Sequence, residues 1–279
     1  MMTLAPQAAH QPTDEEAAMS PRADCIADSA GGLTFDVTER GGAGDTHLVL
    51  LHRDGRQEVR LPLVPAADGR LRAALPSSVE LPEGRWDAYA QSAGGEPERL
   101  SPGLNDLRSL VDRAPSGARG HVAVRIPYAT KHGNLSVRSW LRAPHAEAGE
   151  LHIGERELGV RGQVYGVTLT ADAYAELTGR EETGPARRVE VHRDQARFRF
   201  TVAYSELPEG VWNLWLRPAG ESGPRIRIAR LLDDIADKKP IFTYPKVTLE
   251  TAYGPVAAGP YYTSDNDLSV AVTTVAARQ

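Results

Sequence analysis

Cysteine is nearly absent from the sequence: the 279 residues contain one, Cys25. A lone thiol excludes an intramolecular disulfide and gives no cysteine pair for a metal. Its place near the N-terminus does not favour a role as a reactive nucleophile. Long apolar runs are also missing, because no stretch approaches the ~20 apolar residues of a membrane helix. We therefore expect no disulfide and no insertion into a membrane.

Positive charge is in the minority, with 32 basic against 37 acidic residues and a net charge of −5. This balance provides no basic footprint for a nucleic-acid backbone, so no nucleic-acid partner is expected. With 41% hydrophobic and 25% charged residues, the composition is typical of a soluble globular protein. The chain is longer than a usual domain of ~100–200 residues, which favours two domains.

The N-terminal segment, residues 1–24, has neither the charged region nor the apolar region of a secretory signal. Its Ala, Pro and Glu content is typical of a disordered tail. We therefore expect the protein to be cytoplasmic.

Two phrases recur along the chain. "LPEGRW" (Leu81–Trp86) returns as "LPEGVW" (Leu207–Trp212), 126 positions later. A second phrase occurs three times, as "GGLTFDV", "GNLSVRS" and "NDLSVAV", aligned on Leu33, Leu135 and Leu268. Since internal repeats of this kind mark repeated structural units, we predict one unit at 25–114, a second at 121–239, and a partial third over 240–279 that packs back on the edge of a sandwich.

The pattern within each unit indicates β-structure. In "LPEGxW", Pro presets φ and Gly accepts positive φ, so the phrase is typical of a tight turn from which Trp begins a strand. Apolar residues at alternate positions, as at Phe198, Phe200 and Val202, indicate half-buried strands. Short strands separated by Gly and Pro predict an all-β fold, with two tandem immunoglobulin-like β-sandwich repeats.

The second unit is longer than the first. The spacing from aligned Leu to Trp is 53 positions in the first unit and 77 in the second, and we place the excess in a loop insertion at Thr168–Arg188. Two stretches at the ends of the units, Ser101–Arg113 and Ile228–Lys239, are expected to form short connecting helices.

No catalytic signature stands out. His-Arg-Asp occurs at His52–Asp54 and at His192–Asp194, but the Asn, the DFG triplet and the glycine loop that a kinase requires are missing. Both copies are predicted to be solvated turns. The eight histidines show no metal-binding spacing. We therefore predict no metal and no cofactor, and we assign no catalytic residue.

The most distinctive polar stretch lies in "RIPYATKHGNLSVRSW" (Arg125–Trp140). An aromatic ring and a histidine there could stack on a sugar, while amine and amide groups donate hydrogen bonds to hydroxyls or phosphate. The predicted ligand-binding residues are Tyr128, Thr130, Lys131, His132 and Asn134. The alternative is that Gly133-Asn134 form a plain turn and that Tyr128 covers the core.

A resemblance rests on "YATKHGNLSVRSWL" and "FTVAYSELPEGVWNLWLR". These phrases resemble the β-sandwich repeats that accompany teichoic-acid-type glycerophosphotransferases and glycosyltransferases of actinobacteria, over most of 121–279 and more weakly over 25–114. The resemblance implies a glycan or glycopolymer context. The chain contains no nucleotide-sugar or CDP-glycerol transferase core, and no catalytic residue is transferred to it.

Three functions are compatible with these observations. The first is a non-catalytic accessory or binding protein in glycan, glycopolymer or secondary-metabolite biosynthesis, working beside a glycosyl- or polyol-phosphate transferase. The second is a transferase or tailoring enzyme with its site between the two sandwiches. The third is a structural assembly partner that uses exposed strand edges.

Overall fold

A computed structural model describes residues 21–38, 45–66, 69–111, 113–115, 120–181, 184–252 and 254–275. These residues form twenty-one β-strands and contain no α-helix. The strands associate into two sheet systems. The predicted all-β sandwich class is therefore confirmed. The predicted N-terminal tail falls largely on residues 1–20, outside the described residues, and strand already begins at Arg22.

The strands form two compact units. The first takes the described residues of Met1–Val111 together with Arg125–Ser139; the second takes those of Asp112–Val124 and Trp140–Gln279.

The first sheet system runs in the order β8-β1-β2-β5-β4-β3-β6-β10-β9. Because β4 pairs with both β3 and β5, it joins two layers of strands. Its members are β1 (Arg22–Ala27), β2 (Leu33–Thr38), β3 (Thr46–His52), β4 (Glu58–Pro65), β5 (Leu71–Leu75), β6 (Gly84–Ser92), β7 (Glu98–Arg99), β8 (Ser101–Asp106), β9 (Val122–Ala129) and β10 (Leu135–Arg142).

The second sheet system runs in the order β15-β16-β12-β11-β18-β17-β21-β20-β19. Strand β18 pairs with β11 in one layer and with β17 in the other. Its members are β11 (His145–Ile153), β12 (Glu157–Tyr165), β13 (Tyr174–Gly179), β14 (Arg187–Glu190), β15 (His192–Asp194), β16 (Arg197–Ala203), β17 (Gly210–Glu221), β18 (Ile226–Ala229), β19 (Val247–Thr251), β20 (Gly254–Tyr262) and β21 (Leu268–Thr274).

The alternating apolar residues face the core, as predicted. Along β16 the side chains of Phe198, Phe200 and Val202 are buried, whereas Arg199 and Thr201 between them are exposed. This follows from the two-residue period of a strand, which sends successive side chains to opposite faces. The outward face is thereby left to polar and charged residues.

The repeated "LPEGxW" phrase forms the same turn twice. In each copy the indole Nε1 of Trp donates a hydrogen bond to the carbonyl of the Pro four residues earlier, at 3.0 Å for Trp86 and 2.9 Å for Trp212. The glycines have positive φ, 150° at Gly84 and 143° at Gly210, a region that side chains disfavour. The phrase is therefore a turn closed by its own tryptophan, which then enters the core.

The predicted connecting helices are wrong. Ser101–Asp106 is strand β8, which pairs in parallel with β1, so strand pairing overrides the helical composition of that stretch. In the second stretch, Ile228 and Ala229 end strand β18 (Ile226–Ala229), and residues 230–239 form bends, a turn and irregular backbone. A single 3₁₀ turn, Arg108–Leu110, is the helical part of the first segment that the structure describes.

The predicted insertion at Thr168–Arg188 contains structure of its own. Strand β13 lies within it and pairs with β14 on one side and with β17 on the other. Gly179 of β13 faces Trp212 as His52 of β3 faces Trp86, and the spacing from that position to Trp is 33 residues in the second unit and 34 in the first. The extra residues therefore lie between Leu135 and Gly179, and the predicted placement over the whole of Thr168–Arg188 is wrong.

Candidate binding groove on the second unit

A groove crosses the outer face of the layer formed by β11, β12, β16 and β15. Two adjoining cavities make it up, one of about 530 Å³ and one of about 470 Å³. Both are lined by Arg161, His192 and Arg199, so these three residues lie where the cavities meet. We call this feature the basic groove.

Strand register places these three side chains in one row. Arg161 of β12 is directly opposite Arg199 of β16, which is directly opposite His192 of β15. Directly opposed residues have Cβ atoms about 5 Å apart, and like charges in such positions destabilise a sheet. Two arginines and a histidine therefore occupy directly opposed positions on one face of three neighbouring strands.

The lining of the two cavities carries four arginines, Arg161, Arg193, Arg197 and Arg199, and three carboxylates, Glu150, Glu157 and Asp194. Glu150 forms an ion pair with Arg161 at 3.0 Å, and both side chains are largely exposed. Arg193, Arg197 and Arg199 make no ion pair within the described part of the chain. Because Arg199 is opposed by another arginine and makes no ion pair of its own, the row is a candidate anion-binding site.

The floor of the groove is open because of a glycine. Gly159 faces outward on β12 beside Thr201, and a Cβ there would lie 3.3 Å from the Cβ of His152. Three positions further, Gly162 faces inward, where a Cβ would overlap the ring of Phe198. Strand β12 therefore lies close to its neighbours on both faces, and the basic side chains form the walls.

The five sequence-predicted binding residues lie elsewhere, in the β9–β10 hairpin of the first unit. Thr130 and Asn134 hold the turn: the Thr130 amide donates to the Asn134 carbonyl at 2.8 Å, and the Asn134 amide donates to the Thr130 hydroxyl at 3.2 Å. Gly133 has φ of 76°. Lys131 is exposed and His132 is half-buried. The turn considered as the alternative is therefore present.

Tyr128 lies on β9, before the turn, and its side chain is half-buried. Whether this hairpin binds a ligand stays a prediction.

Sequence reasoning missed the residues of the basic groove. His192-Arg193-Asp194 was predicted to be a turn, but it is strand β15 with all three side chains exposed. The turn follows it, with positive φ at Gln195. One signal was available: "RFRF" at 197–200 places two arginines on one outer face. The alignment of that face with Arg161 depends on strand order, which the sequence does not show.

A second charged group in this unit is internal. Lys238 is fully buried; its Nζ lies 2.7 Å from Asp233 Oδ1 and donates to the Ile235 carbonyl at 2.7 Å. Burial lowers the pKa of Lys238 below its ordinary value, while Asp233 opposes that effect. Glu147 Oε1 and Oε2 accept the amide of Leu231 at 3.1 and 2.9 Å. These contacts fix the segment after β18 and leave no open site around the ammonium group.

Cys25 is fully buried in β1, and burial raises the pKa of its thiol to about 12, with smaller contributions from nearby carboxylates. A thiol in this state is not a nucleophile near neutral pH. The described residues contain no cluster of His, Cys, Asp and Glu suited to a metal, and they contain no helix with the length and apolar character of a membrane span.

Fold and groove together define an all-β sandwich protein with a cationic surface site. No family model matches the chain, and no curated protein matches its sequence. Among solved structures, it is similar to TarS of S. aureus, with a TM-score of 0.31 and 14% identity over 66% of this chain and 35% of that one.

Two further solved structures are similar in the same way. A pullulanase from Anoxybacillus sp. LM18-11 has a TM-score of 0.28 and 10% identity, over 70% of this chain and 24% of that one. A tetra-tandem repeat from the extending region of a large adhesion protein has a TM-score of 0.24 and 12% identity, over 92% and 64%. The chain spans less than two thirds of the length of each of the three.

Proposed function

We propose that this protein is a non-catalytic binding protein that holds an anionic glycan or glycopolymer in the basic groove. The observation that carries the proposal is the row Arg161–Arg199–His192, with cations directly opposed on neighbouring strands. An anionic ligand would form charge-assisted hydrogen bonds with the arginines and would also reduce the repulsion between them. Both effects favour the bound state.

The chemistry of the groove supports anion binding. Guanidinium groups remain protonated and offer several donors in a plane, which suits phosphate and carboxylate groups. Two adjoining cavities suit an extended ligand better than a compact one. In this proposal the units are tandem immunoglobulin-like repeats, with residues 240–279 as a partial third, acting in the cytoplasm beside a glycosyl- or polyol-phosphate transferase.

Neutralising the row should weaken binding. For the double variant Arg161→Gln/Arg199→Gln, we expect affinity for poly(glycerol phosphate) to fall at least about tenfold, because two charge-assisted hydrogen bonds are lost. The matched control is Arg60→Gln/Arg108→Gln, which removes two exposed arginines of the first unit that pair with acidic neighbours. Calorimetric titration at two salt concentrations measures the affinity and how far salt weakens it by screening the charges.

The results distinguish the alternatives. Equal affinity for wild type and the groove variant would contradict the proposed site, and no binding of any anionic or neutral polysaccharide would contradict the function. A DNA fragment bound as tightly as the polymer would show indiscriminate polyanion binding and would contradict a glycan ligand.

The residues predicted from the sequence, in the β9–β10 hairpin, are an alternative binding site that the same assay can test. If the predicted loop residues bind the ligand, Tyr128→Ile/His132→Ala should lower affinity and leave the unfolding curve unchanged. These replacements copy the aligned residues of the first repeat, so the fold is expected to accept them. An unchanged affinity would assign the turn a structural role only.

A further inference from the structure

The two recurring phrases are the two sides of one strand pair. In the first junction, Gly84–Asp87 of β6 pairs with Ser136–Ser139 of β10; in the second, Gly210–Asn213 of β17 pairs with Ser269–Val272 of β21. The register is the same, since each Trp faces a Val and the following residue faces a Ser. Each strand that begins in "LPEGxW" therefore pairs with the second strand of a hairpin, and that second strand carries the leucine-centred phrase.

The hairpins also have the same turn. The amide of Thr263 donates to the Asp267 carbonyl at 2.9 Å, and the Asp267 amide donates to the Thr263 hydroxyl at 3.2 Å. These bonds match those of Thr130 and Asn134 in the other hairpin. Asn134 and Asp267 therefore occupy equivalent positions, one neutral and one acidic.

The first junction has its carboxylate on the receiving strand. Asp87 Oδ1 accepts a hydrogen bond from the Ser136 hydroxyl at 2.6 Å. The same carboxylate pairs with Arg53 at 3.0 Å and with Arg99 at 3.3 Å. One acid and two arginines thus meet where the hairpin docks.

The second junction has its carboxylate on the hairpin instead. Asn213 replaces the acid on β17, and Asp267 lies 3.4 Å from Arg227 and 3.5 Å from Arg142. Arg227 also donates to Asn213 and Ser269, at 3.2 and 3.1 Å. Asp267 thus meets two arginines here, and Asp265 of the same turn is a further acid beside it.

We infer that each "LPEGxW" strand is a docking surface that selects its hairpin by charge: β6, with Asp87, takes the hairpin that is neutral at Asn134, and β17, with Asn213, takes the hairpin that is acidic at Asp267. Exchanging the hairpins would place two carboxylates in one junction and none in the other. The Arg227 side chain is 11% exposed, so an uncompensated charge there would be poorly solvated.

A double-mutant cycle on the full chain tests this inference. Asn213→Asp adds an acid on β17 opposite the hairpin that carries Asp267, and Asp267→Asn removes the acid that pairs with Arg227 and Arg142. We expect each change alone to lower the folding equilibrium constant by ~10-fold or more, and the double variant, which restores one acid, to recover most of the loss. The same cycle at Asp87 and Asn134 repeats the test in the first unit, where the same recovery is expected.

Urea unfolding followed by circular dichroism gives the coupling. Losses that simply add in the double variant would overturn the inference, because a merely structural role predicts no recovery. If a single variant does not fold, the double variant decides: a folded protein supports selection by charge, and an unfolded one overturns it.

Discussion

Replacing Trp86 by Ala should destabilise the protein by about 3–5 kcal/mol. The side chain is fully buried, and it is among the largest that are. Removing it also frees the Pro82 carbonyl, which accepts the indole hydrogen bond at 3.0 Å. The loss therefore combines a core cavity with the opening of the turn, and chemical unfolding measures it.

Trp86→Phe separates the two effects. Phenylalanine retains most of the apolar volume but cannot donate to Pro82, so we expect a cost of about 1–3 kcal/mol. Trp212→Ala should behave like Trp86→Ala, since its side chain is 8% exposed and makes the equivalent bond at 2.9 Å. A loss below about 1 kcal/mol in both alanine variants would contradict a role for these rings in the core.

The buried lysine predicts the second large effect. Lys238→Met should cost about 1–3 kcal/mol, because Asp233 loses the ammonium 2.7 Å away but keeps its ion pair with Arg230 at 3.1 Å. Lys239→Met is the matched control, since the neighbouring lysine is exposed. Equal stability of the two variants would contradict a structural role for the buried pair.

The same substitution should change the dependence of stability on pH. Because the folded-state pKa of Lys238 is lowered, the unfolded chain binds this proton more tightly, and stability should rise with pH between the lowered value and the ordinary 10.5. Lys238→Met should remove that rise, and unfolding curves at several pH values test it.

Local patterns accounted for most of the fold. The positive φ at Gly84 and Gly210, the buried Trp side chains and the alternation along β16 all follow from short-range rules. The helix predictions failed because Ser101–Asp106 is held by a parallel partner that is about 80 residues away in sequence.

The candidate site was less accessible to sequence reasoning. Arg161 and Arg199 are 38 positions apart, and only the pairing of β12 with β16 brings them together. The loop was predicted as a binding site because its polar residues are adjacent in sequence. In the structure two of them, Thr130 and Asn134, are hydrogen-bonded to each other and hold a turn. Adjacency in sequence and convergence in space are different signals.

The buried thiol of Cys25 provides a reporter of opening in the first unit. It is the one cysteine of the sequence, so a thiol-specific alkylating reagent labels a single site and no other thiol contributes to the signal. Fully buried, with a pKa of about 12, it becomes reactive only when its surroundings open. The labelling rate under native conditions thus reads out the population of open molecules, without an introduced probe.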